Sequence, residues 1–162
     1  MLRDATLSLA RAFPFARAMV NSGRLSTPTP YAQSSLNTPD ADEFAGRMRP
    51  GTNCSDAPIR VHGADGWLLH RLGGDFVALV FDTAPGPATL DCDGIACCIV
   101  RIGHDLEDRD GLIAERYDGL PGTTYLVRPD QHVAARWRNF DPEQIRAAVN
   151  RATCRPETRA CS

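Results

Sequence analysis

The stretch Tyr125-Leu-Val-Arg-Pro-Asp-Gln-His-Val-Ala-Ala-Arg-Trp137 predicts a β-hairpin. Residues 125–128 and 133–137 are rich in aromatic and β-branched side chains, which are typical of strands. Between these two runs, Pro129 has a fixed φ and Asp130 has a side chain that favours turns. If the turn is type I and ends in a left-handed residue, Gln131 takes that conformation at a cost of roughly 1 kcal/mol relative to Gly.

The segments around the hairpin predict further short elements. Residues 59–62, 75–82 and 95–102 predict strands, and the last two are so apolar that both of their faces should be buried. Residues 66–73 and 110–117 predict short helices. This order of elements predicts an α/β, thioredoxin-like fold with a mixed sheet of about four to five strands flanked by helices.

A helix start follows the hairpin at Asp141-Pro-Glu-Gln144. Asp141 is a good N-cap, Pro142 suits the first turn, and Gln144 stands where a capping box places it. The apolar face of this helix is formed by Ile145, Ala148, Val149 and Ala152.

The N-terminal third differs in composition from the rest. Residues 1–23 predict a helical segment that is broken at Phe13-Pro14 and ended by Gly23. Residues 24–58 hold five prolines among Ser, Thr, Asn and Asp, which predicts an irregular linker or a surface arm. We therefore divide the chain into a helical segment (1–23), a Pro-rich arm (24–58), a thioredoxin-like domain (59–154) and a flexible tail (155–162).

Length and composition limit the classes of function. With 162 residues, 43% of them hydrophobic, the chain can bury one core. Its net charge is −2 and it has no basic stripe, so we expect no nucleic-acid partner. No apolar run approaches the ~20 residues that span a bilayer, and no secretory signal is recognisable, so we expect a cytoplasmic protein without a membrane partner. An organellar presequence is the alternative for the Arg-rich start.

The cysteines predict no thiol chemistry. In the strand predicted over 95–102, Cys97 and Cys98 point to opposite faces and serve as small core residues. Thioredoxins place Cys-Gly-Pro-Cys just after the first buried central strand, but this chain has Ala84-Pro-Gly-Pro-Ala88 there, which contains no thiol. We expect all six thiols to be reduced, with disulfides of Cys154 and Cys161 as the alternative. The four remaining cysteines are predicted in loops or in the tail: Cys54, Cys92, Cys154 and Cys161.

No metal site is predicted. The histidines are scattered, at His62, His70, His104 and His132, and no C-x-x-C or H-x-x-x-H pair exists. The acidic stretch 104–110 lacks the spacing of a calcium loop. We interpret it as a solvated loop whose acids favour the start of the following helix.

The segment Tyr117-Asp-Gly-Leu-Pro-Gly122 and the hairpin after it resemble the C-terminal, thioredoxin-like domain of flavin-dependent aromatic-ring hydroxylases. In that family YG-L-P-G leads into YLVRPDGYVAWR or a close variant, and Gln131 stands where the family usually has Gly. The upstream sequence is similar to the segment that joins the flavoprotein body to that domain. The most similar subgroup is the 3-(3-hydroxyphenyl)propionate hydroxylase and phenol hydroxylase type. The upstream matches are Pro14-Phe-Ala-Arg-Ala-Met-Val-Asn-Ser-Gly-Arg-Leu-Ser26, Tyr31, Ser35-Leu36, Arg49-Pro50-Gly51 and Asp56-Ala57-Pro58.

This resemblance implies NAD(P)H-driven reduction of FAD, a flavin hydroperoxide and transfer of one oxygen to a phenolic ring. The family holds FAD through G-x-G-x-x-G and a later Gly-Asp motif, and we recognise neither here. Gly73-Gly74 and Gly119-x-x-Gly122 are interpreted as turn glycines without a following phosphate-binding helix. We therefore assign no catalytic, cofactor-binding or metal residue, and expect no activity and no bound cofactor from this chain alone.

Two functions remain open. In the first, the chain is an accessory part of such a monooxygenase, docking on its flavoprotein body or forming a homodimer. In the second, it is an independent thioredoxin-like protein that binds a small molecule or exchanges thiols. Residues 1–58 favour the first and predict an exposed apolar surface. The residues of that surface are Leu2, Leu9, Phe13, Phe15, Met19 and Val20. The position of Pro121 before a strand suggests a cis peptide bond.

Overall fold

The computed structural model describes residues 29–155, and these form two β-sheets, two α-helices and one 3-10 helix. In chain order the elements are β1 (Pro58–Val61), β2 (Ala64–Trp67), the 3-10 helix (Leu68–Arg71), β3 (Phe76–Phe81), β4 (Thr89–Cys92), β5 (Ile95–Ile102), β6 (Glu107–Asp108), α1 (Leu112–Tyr117), β7 (Thr124–Val127), β8 (Val133–Trp137) and α2 (Pro142–Ala152).

The larger sheet has five strands in the order β4-β5-β3-β7-β8. Its central pair, β3 and β5, is parallel, with Phe76 opposite Cys97 and Phe81 opposite Ile102. The three other pairings are antiparallel. The smaller sheet, β2-β1-β6, is antiparallel throughout. The chain has the predicted α/β, thioredoxin-like fold with a mixed sheet flanked by helices.

Strand β3 divides the core in two because its side chains alternate between the faces of the sheet. Val77, Leu79 and Phe81 pack in a cluster with residues of β1, the 3-10 helix and α1. Phe76, Ala78 and Val80 pack in a second cluster against α2. All six residues of β3 are buried, as their apolar composition predicts.

The hairpin is confirmed, and its turn has the predicted strain. The N–H of Gln131 donates to the carbonyl of Arg128 over 2.9 Å, and Gln131 has φ 63°, in the left-handed region. The pairing of β7 with β8 is irregular between Leu126 and Val127. Gln131 compensates for its conformation with its side chain, whose Nε2 donates to the carbonyls of Leu69 (3.1 Å) and Leu72 (2.9 Å).

The C-terminal helix is also confirmed. The Oδ1 atom of Asp141 accepts hydrogen bonds from the N–H groups of Glu143 (2.8 Å) and Gln144 (3.3 Å). The Gln144 side chain donates to the same carboxylate through its Oδ2 atom, so the two polar side chains contact each other directly. Ile145, Ala148 and Val149 are buried.

The helix predicted over 66–73 is wrong for most of its length. Residues 64–67 form strand β2, which pairs with β1, and only Leu68–Arg71 are helical, as a single 3-10 turn. The cause is the turn between the strands, where His62 and Gly63 both have positive φ, at 49° and 82°. Two consecutive residues of that kind favour a tight hairpin.

Two segments predicted as loops are partly strands. Cys92 ends strand β4 and is fully buried, because β4 folds back on β5 in place of the helix that would normally link parallel strands. Within the acidic stretch, Glu107 and Asp108 pair with β1. The carboxylate of Asp108 also accepts from the N–H groups of Ile113 and Ala114, so this acid stabilises the start of α1 directly.

Residues 29–57 contain no helix or strand, and they run along the outer edge of β8. The N–H of Thr38 donates to the carbonyl of Ala134 (2.9 Å), and that of Gly51 donates to the carbonyl of Val133 (2.7 Å). The N–H of Val133 donates in turn to the carbonyl of Thr52 (2.8 Å). This segment, called the arm from here on, covers an edge strand whose backbone groups would otherwise be unpaired.

Several predictions fall outside the described residues. These are the helical segment 1–23, the apolar surface formed by residues of 2–20, the state of Cys161 and nearly all of the tail. The proposed domain boundaries stay predictions. No cis peptide bond occurs between residues 29 and 155, so the suggestion of a cis bond before Pro121 is wrong. None of the helices described is long and apolar enough to cross a membrane.

Candidate functional site

The carboxyl end of β3 is the position at which a redox thioredoxin-like protein needs its thiols. The chain continues there through Asp82 and Thr83 into the exposed loop 84–88, which contains no cysteine. Arg101, on the neighbouring strand β5, donates from Nη1 to the carbonyl of Pro87 over 2.8 Å. A Cβ on Gly86 would lie 2.3 Å from the guanidinium of Arg101, so this loop packs tightly on that side chain.

A shallow groove lies at this same end of the sheet. Phe81 and Ile102 are its buried residues, Thr83 lies beside them, and the turn Leu120-Pro121 forms an exposed side. Asp82 and Gly119 complete the lining. Leu120 is 56% exposed and is one of three large exposed hydrophobic residues in the described part of the chain, with Tyr31 and Trp67.

Hydrogen bonds between β3 and the turn before β7 hold this groove in shape. The N–H of Gly122 donates to the carbonyl of Phe81 (2.8 Å), and the N–H of Phe81 donates to the carbonyl of Thr123 (2.9 Å). The hydroxyl of Thr123 accepts from the N–H of Leu120 (3.1 Å). Gly119 is required here, because a Cβ would lie 2.0 Å from the ring of Phe81.

The buried thiols are not poised for exchange. Burial raises the pKa of Cys54 to about 12 and that of Cys97 to about 12, and burial also raises the pKa of Cys92. A reactive thiol needs the opposite shift, since the thiolate is the nucleophile. Cys97 and Cys98 belong to opposite faces of β5, as predicted, with Cys97 in one core cluster and Cys98 packed against the other.

The described cysteines are all free thiols, and Cys154 is exposed. No group of three or more His, Cys, Asp or Glu side chains converges as a metal site within residues 29–155. His104 hydrogen-bonds to its neighbour Asp105 (2.8 Å), and the ring of His132 packs on Tyr31 with centroids 5.2 Å apart.

The glycine turns do not form a nucleotide site. Gly73-Gly74 leads into β3 and Gly119–Gly122 leads into β7, so neither precedes a helix whose N-terminus could hold a pyrophosphate. The N-terminus of α2 is already occupied by the Asp141 carboxylate, which would repel a phosphate. Neither glycine turn therefore offers a helix N-terminus to the pyrophosphate of a dinucleotide.

A polar cleft between the arm and β8 is the part that sequence analysis missed. Arg136 is 4% exposed and forms a bidentate ion pair with Asp40, with N–O distances of 2.9 and 2.6 Å. Arg138 pairs with Asp118 and donates to the carbonyl of Glu43. Two hydrogen-bond donors, the N–H of Ala45 and the guanidinium of Arg138, hold the pKa of Asp118 below its usual range.

Phe44 lies at the centre of this cleft. Both guanidinium groups lie over its ring, with Arg136 at 4.2 Å and Arg138 at 3.8 Å from the centroid. Tyr125 contacts the ring from its edge, 6.0 Å between centroids. The sequence offered one indication of this cleft: Arg136 and Arg138 are two residues apart, a spacing that places both side chains on one face of an extended segment. Asp40 is 96 residues from Arg136 along the chain and Asp118 is 20 residues from Arg138, so local spacing could not reveal these partners.

Solved structures that this chain resembles include flavin-dependent enzymes. Aklavinone-11 hydroxylase, solved with FAD and aklavinone, is 22% identical with a TM-score of 0.62, over 75% of this chain and 26% of that chain. The flavin-dependent monooxygenase PieE, solved with FAD and substrate, is 20% identical with a TM-score of 0.65, over 90% and 29%. The substrate-free rebeccamycin biosynthetic enzyme RebC is 22% identical with a TM-score of 0.54, over 90% and 26%.

At these identities the similarity shows the fold alone. This chain spans between a quarter and a third of the length of those enzymes. No protein-family model matches the chain, and no curated protein matches it.

Proposed function

We propose that this chain is the C-terminal accessory part of an FAD-dependent aromatic-ring monooxygenase. Its role is structural: it docks on the flavoprotein body of that enzyme or joins two copies in a homodimer. The observation that carries the proposal is a thioredoxin-like fold without a thiol at the end of β3, similar to about a quarter of aklavinone-11 hydroxylase and PieE. In addition, the arm (residues 29–57) precedes this fold in the chain and pairs along the edge of β8.

The finer assignment is to the 3-(3-hydroxyphenyl)propionate hydroxylase and phenol hydroxylase type. It rests on the order of short motifs in the sequence, from residues 14–26 to the hairpin. The substrate class would then be a phenol, and the location cytoplasmic.

In this proposal the chemistry belongs to the flavoprotein body. FAD there supplies the reduction by NAD(P)H and the activation of dioxygen. The described residues of this chain contribute no ligand to that cofactor and no group to the reacting atoms. The chain by itself should hydroxylate no phenol.

Independent thiol exchange finds no support in the geometry, because Cys54, Cys92 and Cys97 are buried with raised pKa values. A dithiol protein would reduce a protein disulfide such as that of insulin. We expect the purified chain to leave insulin oxidised, and measurable turnover would favour the thiol-redox alternative.

The first test is the visible absorbance spectrum of the purified chain before and after incubation with FAD and desalting, together with its mass in solution. We expect a colourless protein that retains no flavin. A retained yellow flavin would overturn the accessory role.

The docking role has a separate test in hydrogen exchange of residues 2–20. If they cover a partner, their amides should exchange fast in an isolated monomer and slowly in a dimer or a complex. A monomer in which they are already protected would contradict docking.

A further inference from the structure

We propose that the groove at the carboxyl ends of β3 and β5 receives a segment of the flavoprotein body that inserts an apolar side chain and sets a basic side chain against Asp82. The proposal rests on the proposed function for the identity of the partner. The groove itself is argued from the residues that line it.

The first step is position. One face of the five-stranded sheet is covered by β1, the 3-10 helix and α1, the other face by α2, and the β8 edge by the arm. At the end of the sheet near Phe81 and Ile102, the described cover consists of loops and turns, with Gly119 against the ring of Phe81. The carboxyl ends of parallel strands are where α/β sheets generally bind their ligands.

The second step is chemistry. Phe81 and Ile102 are each only 7% exposed and form an apolar floor, and the exposed Leu120 and Pro121 extend it. The exposed Leu120 and Pro121 still have apolar area to bury, and covering it with an aliphatic or aromatic side chain would gain free energy. The redox loop of a thioredoxin is replaced here by Thr83 and residues 84–88, so the groove has a binding surface without a reacting thiol.

The third step is charge. Asp82 is the one charged residue in the lining of this groove, and it is exposed. Its Oδ1 atom accepts from the N–H of Ala84 (3.0 Å), and within residues 29–155 the carboxylate makes no ion pair. A basic side chain next to the inserted apolar one would form an ion pair with the Asp82 carboxylate. The groove should therefore prefer an apolar and basic segment to an acidic one.

The fourth step is preorganisation. The turn at Gly119–Gly122 is fixed to β3 by two backbone hydrogen bonds, and Gly119 lets that turn contact the ring of Phe81. The groove is therefore present before a partner arrives, and binding would order few residues of this chain.

The test uses the full chain labelled with nitrogen-15 and three short peptides followed by NMR shifts. The probe is acetyl-Gly-Ser-Phe-Arg-Ser-Gly-amide, and its two matched controls carry Ala in place of Phe or Glu in place of Arg. We expect the probe to shift the amides of Asp82, Thr83, Ile102, Gly119 and Leu120. Removing the Phe ring should weaken binding about tenfold or more, and reversing the charge by about fivefold.

Variants locate the effect. Leu120→Ser and Asp82→Asn change exposed side chains, and the Asn side chain can still accept from Ala84, so both variants should fold. Each should weaken binding of the probe, whereas Trp67→Ser, at an equally exposed residue outside the groove, should not. No shift at the groove, or equal binding of all three peptides, would overturn the proposal. Failure of the proposed function appears elsewhere, as flavin retained by the chain.

Discussion

Gln131 has the left-handed backbone conformation that Gly adopts without strain, and its side-chain hydrogen bonds compensate for that strain. Its φ of 63° strains a side chain by roughly 1 kcal/mol relative to Gly. The same side chain donates from Nε2 to the carbonyls of Leu69 and Leu72 at the end of the 3-10 helix. Each such hydrogen bond contributes about 1 kcal/mol, so the contacts outweigh the strain.

This balance predicts an order of stability for two variants. Gln131→Ala keeps the strain and loses both hydrogen bonds, so its free energy of unfolding should fall by about 2 kcal/mol. Gln131→Gly loses the same bonds but relieves the strain, so it should lie about 1 kcal/mol above the Ala variant. Urea unfolding measures both values, and equal stabilities would mean that the left-handed conformation is not strained.

His62 provides the matched control. It also has a left-handed backbone, with φ 49°, but its exposed side chain makes no hydrogen bond to another residue of the described range 29–155. His62→Gly should therefore stabilise the protein, by up to about 1 kcal/mol, because strain is relieved and no contact is lost. A loss of stability in this variant would contradict the reasoning applied to Gln131.

At the scale of elements, the arm depends on the buried guanidinium of Arg136. Asp40→Ala removes the carboxylate that pairs with it, and should lower the free energy of unfolding by about 2–3 kcal/mol because the cation stays buried. The loosened arm should also be cut faster by trypsin after Arg47, which is followed by Met48. Urea unfolding and mass spectrometry of the fragments measure the two effects.

The control for that variant is Asp65→Ala. Asp65 pairs with Arg60 and Arg109 in exposed surroundings, and its side chain is 57% exposed. Its loss should cost less than about 1 kcal/mol and leave the arm uncut. Equal effects of the two substitutions would refute a special role for the buried pair.

Helix α2 depends on its cap. Asp141→Ala leaves the N–H groups of Glu143 and Gln144 without their acceptor, and should cost about 1 kcal/mol. Asp141→Ser retains a capping oxygen and should recover most of that loss. Thermal unfolding followed by circular dichroism distinguishes the variants, and an Ala variant as stable as the parent would show that the cap is dispensable.

At the scale of the whole molecule, the buried thiols predict sensitivity to alkali. In the folded protein the pKa of Cys54 and that of Cys97 are about 12, against an ordinary value of 9.0. Above pH 9 the unfolded chain releases these protons while the folded chain retains them. The free energy of unfolding should therefore be level below pH 9 and fall between pH 9 and 12, by about 1 kcal/mol per pH unit for each thiol.

Urea titrations at several pH values test this slope, with Cys97→Ala as the comparison. The variant should be less stable at pH 8, because it leaves a small cavity, yet its stability should fall less steeply above pH 9. Parallel curves for the two proteins would show that Cys97 ionises as easily in the folded state as in the unfolded one.

The sequence predicted most elements whose signal is local. Residues 95–102 match β5 to the residue, and the cap of α2 was predicted from residue types alone. The left-handed conformation of Gln131 was considered only for one type of turn, and the structure has it. The 3-10 helix shows the limit of this approach. Its residues have a helical composition, but the pairing of β2 with β1 removed most of the predicted helix. A strand pairing is a contact with another segment, and local propensity does not contain it.

Local sequence patterns were enough to predict the apolar strand β3, the hairpin, the capped helix and the absence of a thiol after β3. Packing of distant segments determines where the arm lies, which carboxylates face Arg136 and Arg138, and that Phe81, Ile102 and Leu120 meet in one groove. The two kinds of feature differ in how far apart along the chain the interacting residues are. Backbone preferences and side-chain alternation act over a few residues, whereas ion pairs, edge pairing and grooves join residues that are distant along the chain and are selected only when the whole core packs.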